Sequence, residues 1–204
     1  MTIIKREFKR KTGLRDAKLF VIAAEGLHPE KTYFDNLSES LKLSNVHIEF
    51  LIRTETQRSA PKHVIRELDK FKRKYSLNSE DELIMVVDFD KWQNQLPQVA
   101  QLCLQKKYSL VVSNPSFEIW LLLHFEEIGK PFKSEISTAS DLKKYISDTH
   151  ACGPKNLGIK DYIGQGKLAI SRGEKLDLNP NDRWPLEIGT HMYRLIKKLF
   201  EPFI

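Results

Sequence analysis

Two kinds of apolar run alternate along the chain. Lys18 to Ala24 (KLFVIAA) is short and almost continuously apolar, which predicts a strand buried on both faces. Beyond Glu25-Gly26, residues Tyr33, Phe34, Leu37 and Leu41 recur at helical spacing. Pro29 falls in the first turn of that helix, where its missing N–H costs nothing. Val46 to Ile52 alternates as a second strand. Ser59-Ala60-Pro61 then opens a helix with a Ser cap and an early Pro, and Val64, Leu68, Phe71 and Tyr75 form its apolar face. The third strand is Leu83-Ile84-Met85-Val86-Val87, running into Asp88-Phe89-Asp90-Lys91-Trp92. A Gln-rich helix follows, with Leu96, Val99 and Leu102 or Cys103 inward, and Tyr108 to Val112 predicts a fourth strand. Pro115 starts a helix whose residues Phe117 to Phe125 are apolar nearly all round, so it must be buried.

The pattern then changes. Residues 128–137 read as a loop and Asp141 to Ile146 as a short helix. His150 to Gly158 is turn-like, and Asp161 to Leu176 is helical. Asn179-Pro180-Asn181-Asp182 is a break, and Trp184 to Phe200 is the last helix. Strand and helix alternate over the first 126 residues. This predicts an α/β fold with a mostly parallel sheet, helices on both faces and a helical C-terminal portion over 127–204. Residues 1–17 stand ahead of it as an arm, so the domain spans 18–204, with its core at 18–126.

Composition places few limits on this picture. The 204 residues suffice for one sizeable core, and 41% hydrophobic with 29% charged residues describes an ordinary globular protein. No apolar run is long enough to span a bilayer, and Met1 to Arg6 lacks the apolar segment of a signal peptide, so a cytoplasmic location is expected. Cys103 and Cys152 are isolated and read as reduced residues.

Charge changes the picture more. Lys and Arg number 33 against 27 Asp and Glu, a net +6. Residues 1–19 hold +5 of it, from Lys5, Arg6, Lys9, Arg10, Lys11, Arg15 and Lys18 against Glu7 and Asp16. Such an arm suits nucleic-acid contact, and equally a solvated terminus.

The candidate chemistry lies at strand ends. In an open parallel sheet, ligands bind beyond the C-terminal ends of the strands. Glu25, Asp88 and Asp90 all fall there, and Glu118 follows the fourth strand closely. Asp88 and Asp90, spaced i, i+2, project to one side if strand geometry persists. Two carboxylates that close repel unless a proton or a cation lies between them, and Mg²⁺ or Mn²⁺ answers that need with oxygen ligands. Glu118 sits in an apolar helix, where a carboxylate needs either a structural partner or a function. Glu30 lies in a first helical turn, which the helix dipole also favours. Four carboxylates, Glu25, Asp88, Asp90 and Glu118, therefore converge on that edge as a candidate metal site, and Lys91, Lys155 and Lys160 are candidates for phosphate contact. Gly153 to Gly158 lacks the Gly-Lys-Ser/Thr ending of a phosphate loop, and no Gly-x-Ser-x-Gly elbow occurs. His124 reads as a satisfied core histidine, and Trp92 as a core residue or a base-stacking one.

These motifs together resemble the RloB family of the Toprim-like nuclease group. The resemblance is carried by Phe20 to Gly26 with Glu30 and Tyr33-Phe34, by Ser59-Ala60-Pro61, by Val87 to Trp92, and above all by Ser113-Asn114-Pro115-Ser116-Phe117-Glu118-Ile119-Trp120-Leu121-Leu122-Leu123-His124-Phe125. One departure falls at the first helix, where Pro29 precedes Glu30 and Lys31 follows it. The resemblance implies a Toprim-like sheet with metal-binding roles on Glu25, Asp88 and Asp90, and Glu30 and Glu118 as further acidic positions. It also implies a Mg²⁺-dependent nuclease in a phage-defence, abortive-infection or restriction-linked system. Catalysis would fall on Glu25, Asp88, Asp90, Glu118 and Lys91, and nucleic-acid contact on Lys5, Arg6, Lys9, Arg10, Lys11, Lys155 and Lys160. An ABC/AAA-type ATPase would be the partner. A non-catalytic, metal-binding regulatory subunit of that ATPase is the alternative.

Overall fold

The computed structural model describes residues 5–10, 17–26, 28–42, 44–52, 61–150 and 158–201. In chain order the elements are β1 (Arg6–Glu7), β2 (Lys18–Ala24), α1 (Pro29–Ser40), β3 (Val46–Leu51), α2 (Pro61–Lys74), β4 (Tyr75–Ser76), β5 (Glu82–Asp88), α3 (Leu96–Lys106), β6 (Ser109–Asn114), α4 (Glu118–Leu122), α5 (Lys130–Glu135), α6 (Ala139–His150), α7 (Gly164–Leu176), β7 (Gly189–Thr190) and α8 (Met192–Phe200). The main sheet runs β3-β2-β5-β6-β7. Its first four strands are parallel, and β7 is antiparallel at the edge.

Alternation along the strands builds two cores. Phe20, Ile22, Ala24, Ile84, Val86 and Val111 face α1, α4, α6, α7 and α8. Leu19, Val21, Ala23, Leu83, Met85, Val87 and Val112 face α2 and α3. Each face carries its own apolar layer, which is why these strands are apolar throughout instead of alternating with polar residues. The chain steps from β2 to β3 through α1 on one face, then crosses back over the other face through α2 to β5. Strand order therefore reverses between β2 and β5, and the crevice beyond their C-terminal ends is the expected ligand position.

Several elements differ from the sequence expectation. Asp88 is the last residue of β5, and Asp90 lies in the following turn. Strand geometry therefore does not carry through Asp-x-Asp. The helix expected from Pro115 to Phe125 is a single turn and a half, Glu118–Leu122, preceded by a cis Asn114–Pro115 peptide. Residues 128–137, read as a loop, contain α5, anchored by buried Phe132 whose ring meets Tyr145 at 4.7 Å. The expected helix 184–200 begins only at Met192. Ahead of it, Gly189 and Thr190 pair with Asn114 and Ser113 as β7, and the Ser113 and Thr190 hydroxyls lie 2.7 Å apart. The predicted Ser59-Ala60 cap lies outside the described residues, as does Cys152; Cys103 is free and buried. Among the described residues no helix is long and apolar enough to cross a membrane.

Candidate functional site

The two strands at the reversal point each deliver an acid. Glu25 follows β2 directly and is buried; its N–H donates to Val86 O on β5. Its Oε2 accepts the Trp92 indole N–H at 2.5 Å, and Lys91 Nζ lies 3.7 Å from Oε1. Trp92 is thus a donor to the site, a role no sequence pattern announces. Asp88 shares the parity of Ile84 and Val86, so it faces the α1 and α4 side of the sheet. Its Oδ1 accepts the Phe117 N–H at 2.8 Å. Part of Asp88 reaches solvent, but its carboxyl group is desolvated. That burial, with the charges of Glu30, Glu118 and Glu25, holds its pKa well above the usual aspartate range.

Glu30 enters from the first turn of α1. Its Oε1 accepts the Gly26 N–H at 3.0 Å, as a capping carboxylate does, while Oε2 is buried without a hydrogen-bond partner. Only glycine permits this, because a Cβ at position 26 would lie 2.2 Å from both Glu30 oxygens. Burial first, then the charges of Glu118 and Glu25, push the Glu30 carboxyl up to about 7, against the weaker pull of backbone hydrogen bonds.

Glu118, at the start of α4, is also buried. Ser116 donates its hydroxyl to Oε2 at 2.6 Å, and Lys143 Nζ of α6 lies 3.3 Å from Oε1. Burial works against the ammonium of Lys143, but Glu118, Asp88 and Asp90 together outweigh it and raise its pKa. Asp90 reaches the same helix, since its Oδ2 accepts the Ala139 N–H at 3.1 Å. Its Oδ1 is buried and unpartnered. Glu25, Glu30, Asp88 and Glu118 are thus electrostatically coupled at the C-terminal ends of the strands, and Asp90 joins them through α6, whose Lys143 feels both Asp90 and Glu118.

Whether these residues suit a divalent cation can be judged from the donors. All are carboxylate oxygens, two of the buried oxygens have no hydrogen-bond partner, and two carboxyls resist ionisation because they are buried, with negative neighbours adding to the effect. That chemistry fits a hard cation. Each of the five acids has at least one oxygen on a protein donor, and among the described residues no three acidic, His or Cys side chains form a group that could hold an ion.

The basic candidates are dispersed. Lys91 is exposed beside Glu25. Lys5, Arg6 and Lys9 are exposed on the arm, where β1 pairs in parallel with β4, just ahead of the start of β5. Arg10 is not free: it binds both oxygens of Asp81, at 2.9 and 2.8 Å. The arm is therefore docked at the N-terminal end of β5, roughly 20 Å along the strand from Asp88. Lys160 is exposed near α7, and Lys11 and Lys155 lie outside the described residues. His124 is a core residue, with Nδ1 3.0 Å from Trp120 O, and burial pushes its pKa down to about 4. A cavity of about 320 Å³ lies between α8 and the starts of β5 and β6, lined in part by Arg194, Lys198 and His191, away from the acids. The site is recognised by converging carboxylates, not by a hollow.

A family model described as RloB-like protein matches residues 20–199, most of the chain and all five acids. No curated protein and no solved structure gives a significant match.

Proposed function

The chain belongs to the RloB-like family, and on that premise we propose that it is a divalent-metal-dependent nuclease that cleaves phosphodiester bonds of DNA or RNA. The observation that carries this reading is the convergence of Glu25, Glu30, Asp88 and Glu118 at the strand-order reversal, with one Glu30 oxygen buried and unpartnered; burial and mutual repulsion raise the pKa of Asp88 and Glu30 there. A fold stabilises such a cluster poorly on its own. A bound Mg²⁺ or Mn²⁺ supplies the missing positive charge, polarises a phosphate oxygen and lowers the pKa of water.

The chain's own groups divide the remaining work. Glu25 and Asp88, fixed by adjacent strands, hold the ion. Glu30 or Glu118 adds a ligand or accepts a proton from the attacking water. Trp92 orients the Glu25 carboxylate through its indole N–H. Lys91, exposed at the rim, meets a phosphate. Lys5, Arg6 and Lys9 track a nucleic-acid backbone at the opposite sheet edge. In this reading the protein is the effector of an anti-phage, abortive-infection or restriction-linked system, and an ABC/AAA-type ATPase controls it. The test is Mg²⁺-dependent cleavage of DNA and RNA by the wild-type chain and by Asp88→Asn. Undiminished cleavage by the variant sinks the assignment.

A second reading has one observation in its favour: each acid already has a protein partner, and no ready-made metal group exists among the described residues. The cluster would then bind metal only to steady a regulatory subunit of the ATPase. Calorimetric Mn²⁺ binding without cleavage, with the ATPase present and ATP supplied, would select that reading.

A further inference from the structure

Among the described residues Glu30, Asp88 and Asp90 make no ion pair, and two lysines there pair with acids of the cluster, Lys91 with Glu25 and Lys143 with Glu118. They differ in attachment. Lys91 directly follows Asp90 in sequence, whereas Lys143 belongs to α6, which no acid of the cluster belongs to. Ala139 and Lys143 are four residues apart, on one face of α6. One gives its N–H to Asp90 Oδ2 at 3.1 Å and the other its ammonium to Glu118 Oε1 at 3.3 Å. The same helix face therefore grips two acids that come from two different strand ends.

The grip is incomplete. Glu30 Oε2 and Asp90 Oδ1 stay buried without hydrogen bonds, and one ammonium cannot serve four carboxyls. The Lys143 side chain keeps 47% of its surface in solvent, so it can leave the site along its flexible stem at little cost.

We propose that Lys143 is a tethered counter-ion that occupies the acidic site in its metal-free state, and that a divalent cation displaces it and loosens the hold of α6 on Glu118. This rests on the reading of the cluster as a metal site. It assigns α6 a positioning role: with Lys143 in place Glu118 is turned to Ser116 and the ammonium, and with Lys143 gone it is free to turn toward the ion. Lys143 is then a competitor of the metal, not a ligand-side helper.

Calorimetric titration of the full chain with Mn²⁺ alone tests this, using the wild type, Lys143→Met, Lys143→Arg and Asp88→Asn. Removing one positive charge from beside the ion should tighten Mn²⁺ binding by Lys143→Met roughly tenfold, while Lys143→Arg stays near wild type. Without metal, Lys143→Met should melt below the wild type, and saturating Mn²⁺ should bring the two together. As an independent readout on the wild type, Mg²⁺ should shift the NMR signal of isotopically dimethylated Lys143 toward that of exposed lysines. If the wild type binds Mn²⁺ in an Asp88-dependent manner but Lys143→Met binds no tighter, or the Lys143 signal does not move, the counter-ion role is wrong and the metal site stands. If no chain binds Mn²⁺, both fall together.

Discussion

The two ends of β5 carry the same chemistry and treat it in opposite ways. At the N-terminal end, Asp81 receives Arg10 through both oxygens, plus the N–H groups of Leu19 and Asn78. Beside it, Glu82 takes the ammonium groups of Lys18 and Lys198, each at 2.9 Å. Burial pushes the Glu82 carboxyl up, but the two lysines outweigh it and hold the pKa below the ordinary value. At the C-terminal end, Asp88 has one backbone N–H and three acidic neighbours, and its pKa is raised. An acid supplied with cations is structural. An acid that the fold desolvates and surrounds with like charge is held at a cost to stability, and a ligand is the usual reason for such a cost.

The largest expected effect separates these ends by activity. Asp88→Asn should lower Mg²⁺-dependent cleavage by about a thousandfold, the scale of losing a main electrostatic stabiliser, whereas Glu82→Gln should leave it within about twofold. Initial rates on labelled DNA and RNA measure both. Stability should show the reverse order. Asp81→Ala leaves a nearly buried Arg10 without its carboxylate and should cost about 4 kcal/mol in denaturant unfolding.

Next comes the pH dependence. Glu30 ionises near pH 7 in the fold, against its ordinary 4.5. Between those values the folded chain binds more protons than the unfolded one. The metal-free protein should therefore lose stability as pH rises from about 4.5 to 7, by about 3 kcal/mol at most from this group. Asp88 pushes in the same direction. Melts in chelator should be lower at pH 8 than at pH 5, and Glu30→Gln should flatten that fall; a variant that keeps the whole fall would exonerate Glu30. The smallest effect belongs to the rim: Lys91→Ala should slow cleavage by roughly tenfold through one lost phosphate contact, with a smaller fall in metal-free melting temperature than Lys143→Met, because its ammonium is more exposed and farther from its acid.

Long apolar runs made most of the fold legible. Lys18–Ala24 and Glu82–Asp88 announce buried strands, and their order with the helices yields the sheet and the edge on which Glu25, Glu30, Asp88, Asp90 and Glu118 meet. Short elements were not legible. β7 has two residues and no period, and it exists because Ser113 and Asn114 offer it a free strand edge. Among its described side chains α5 has a single apolar anchor, Phe132. The partners of the acids were hidden for another reason. Lys143 lies 25 residues beyond Glu118 on another helix, and Trp92 reaches Glu25 from 67 residues away. Such contacts depend on tertiary packing and leave no spacing to read. Asp88 and Asp90 looked equivalent in sequence, yet β5 ends between them. One acid therefore meets α4 and the other α6.

The acidic edge as a metal site is tested most directly by the anomalous scattering of a crystal soaked in Mn²⁺ at pH 8. The expected result is a peak within about 2.0–2.3 Å of carboxylate oxygens of both Glu25 and Asp88, with at least one of Glu30, Asp90 or Glu118 turned toward it. An empty edge at saturating Mn²⁺, or a peak only at the Asp81 and Glu82 end of β5, would contradict it.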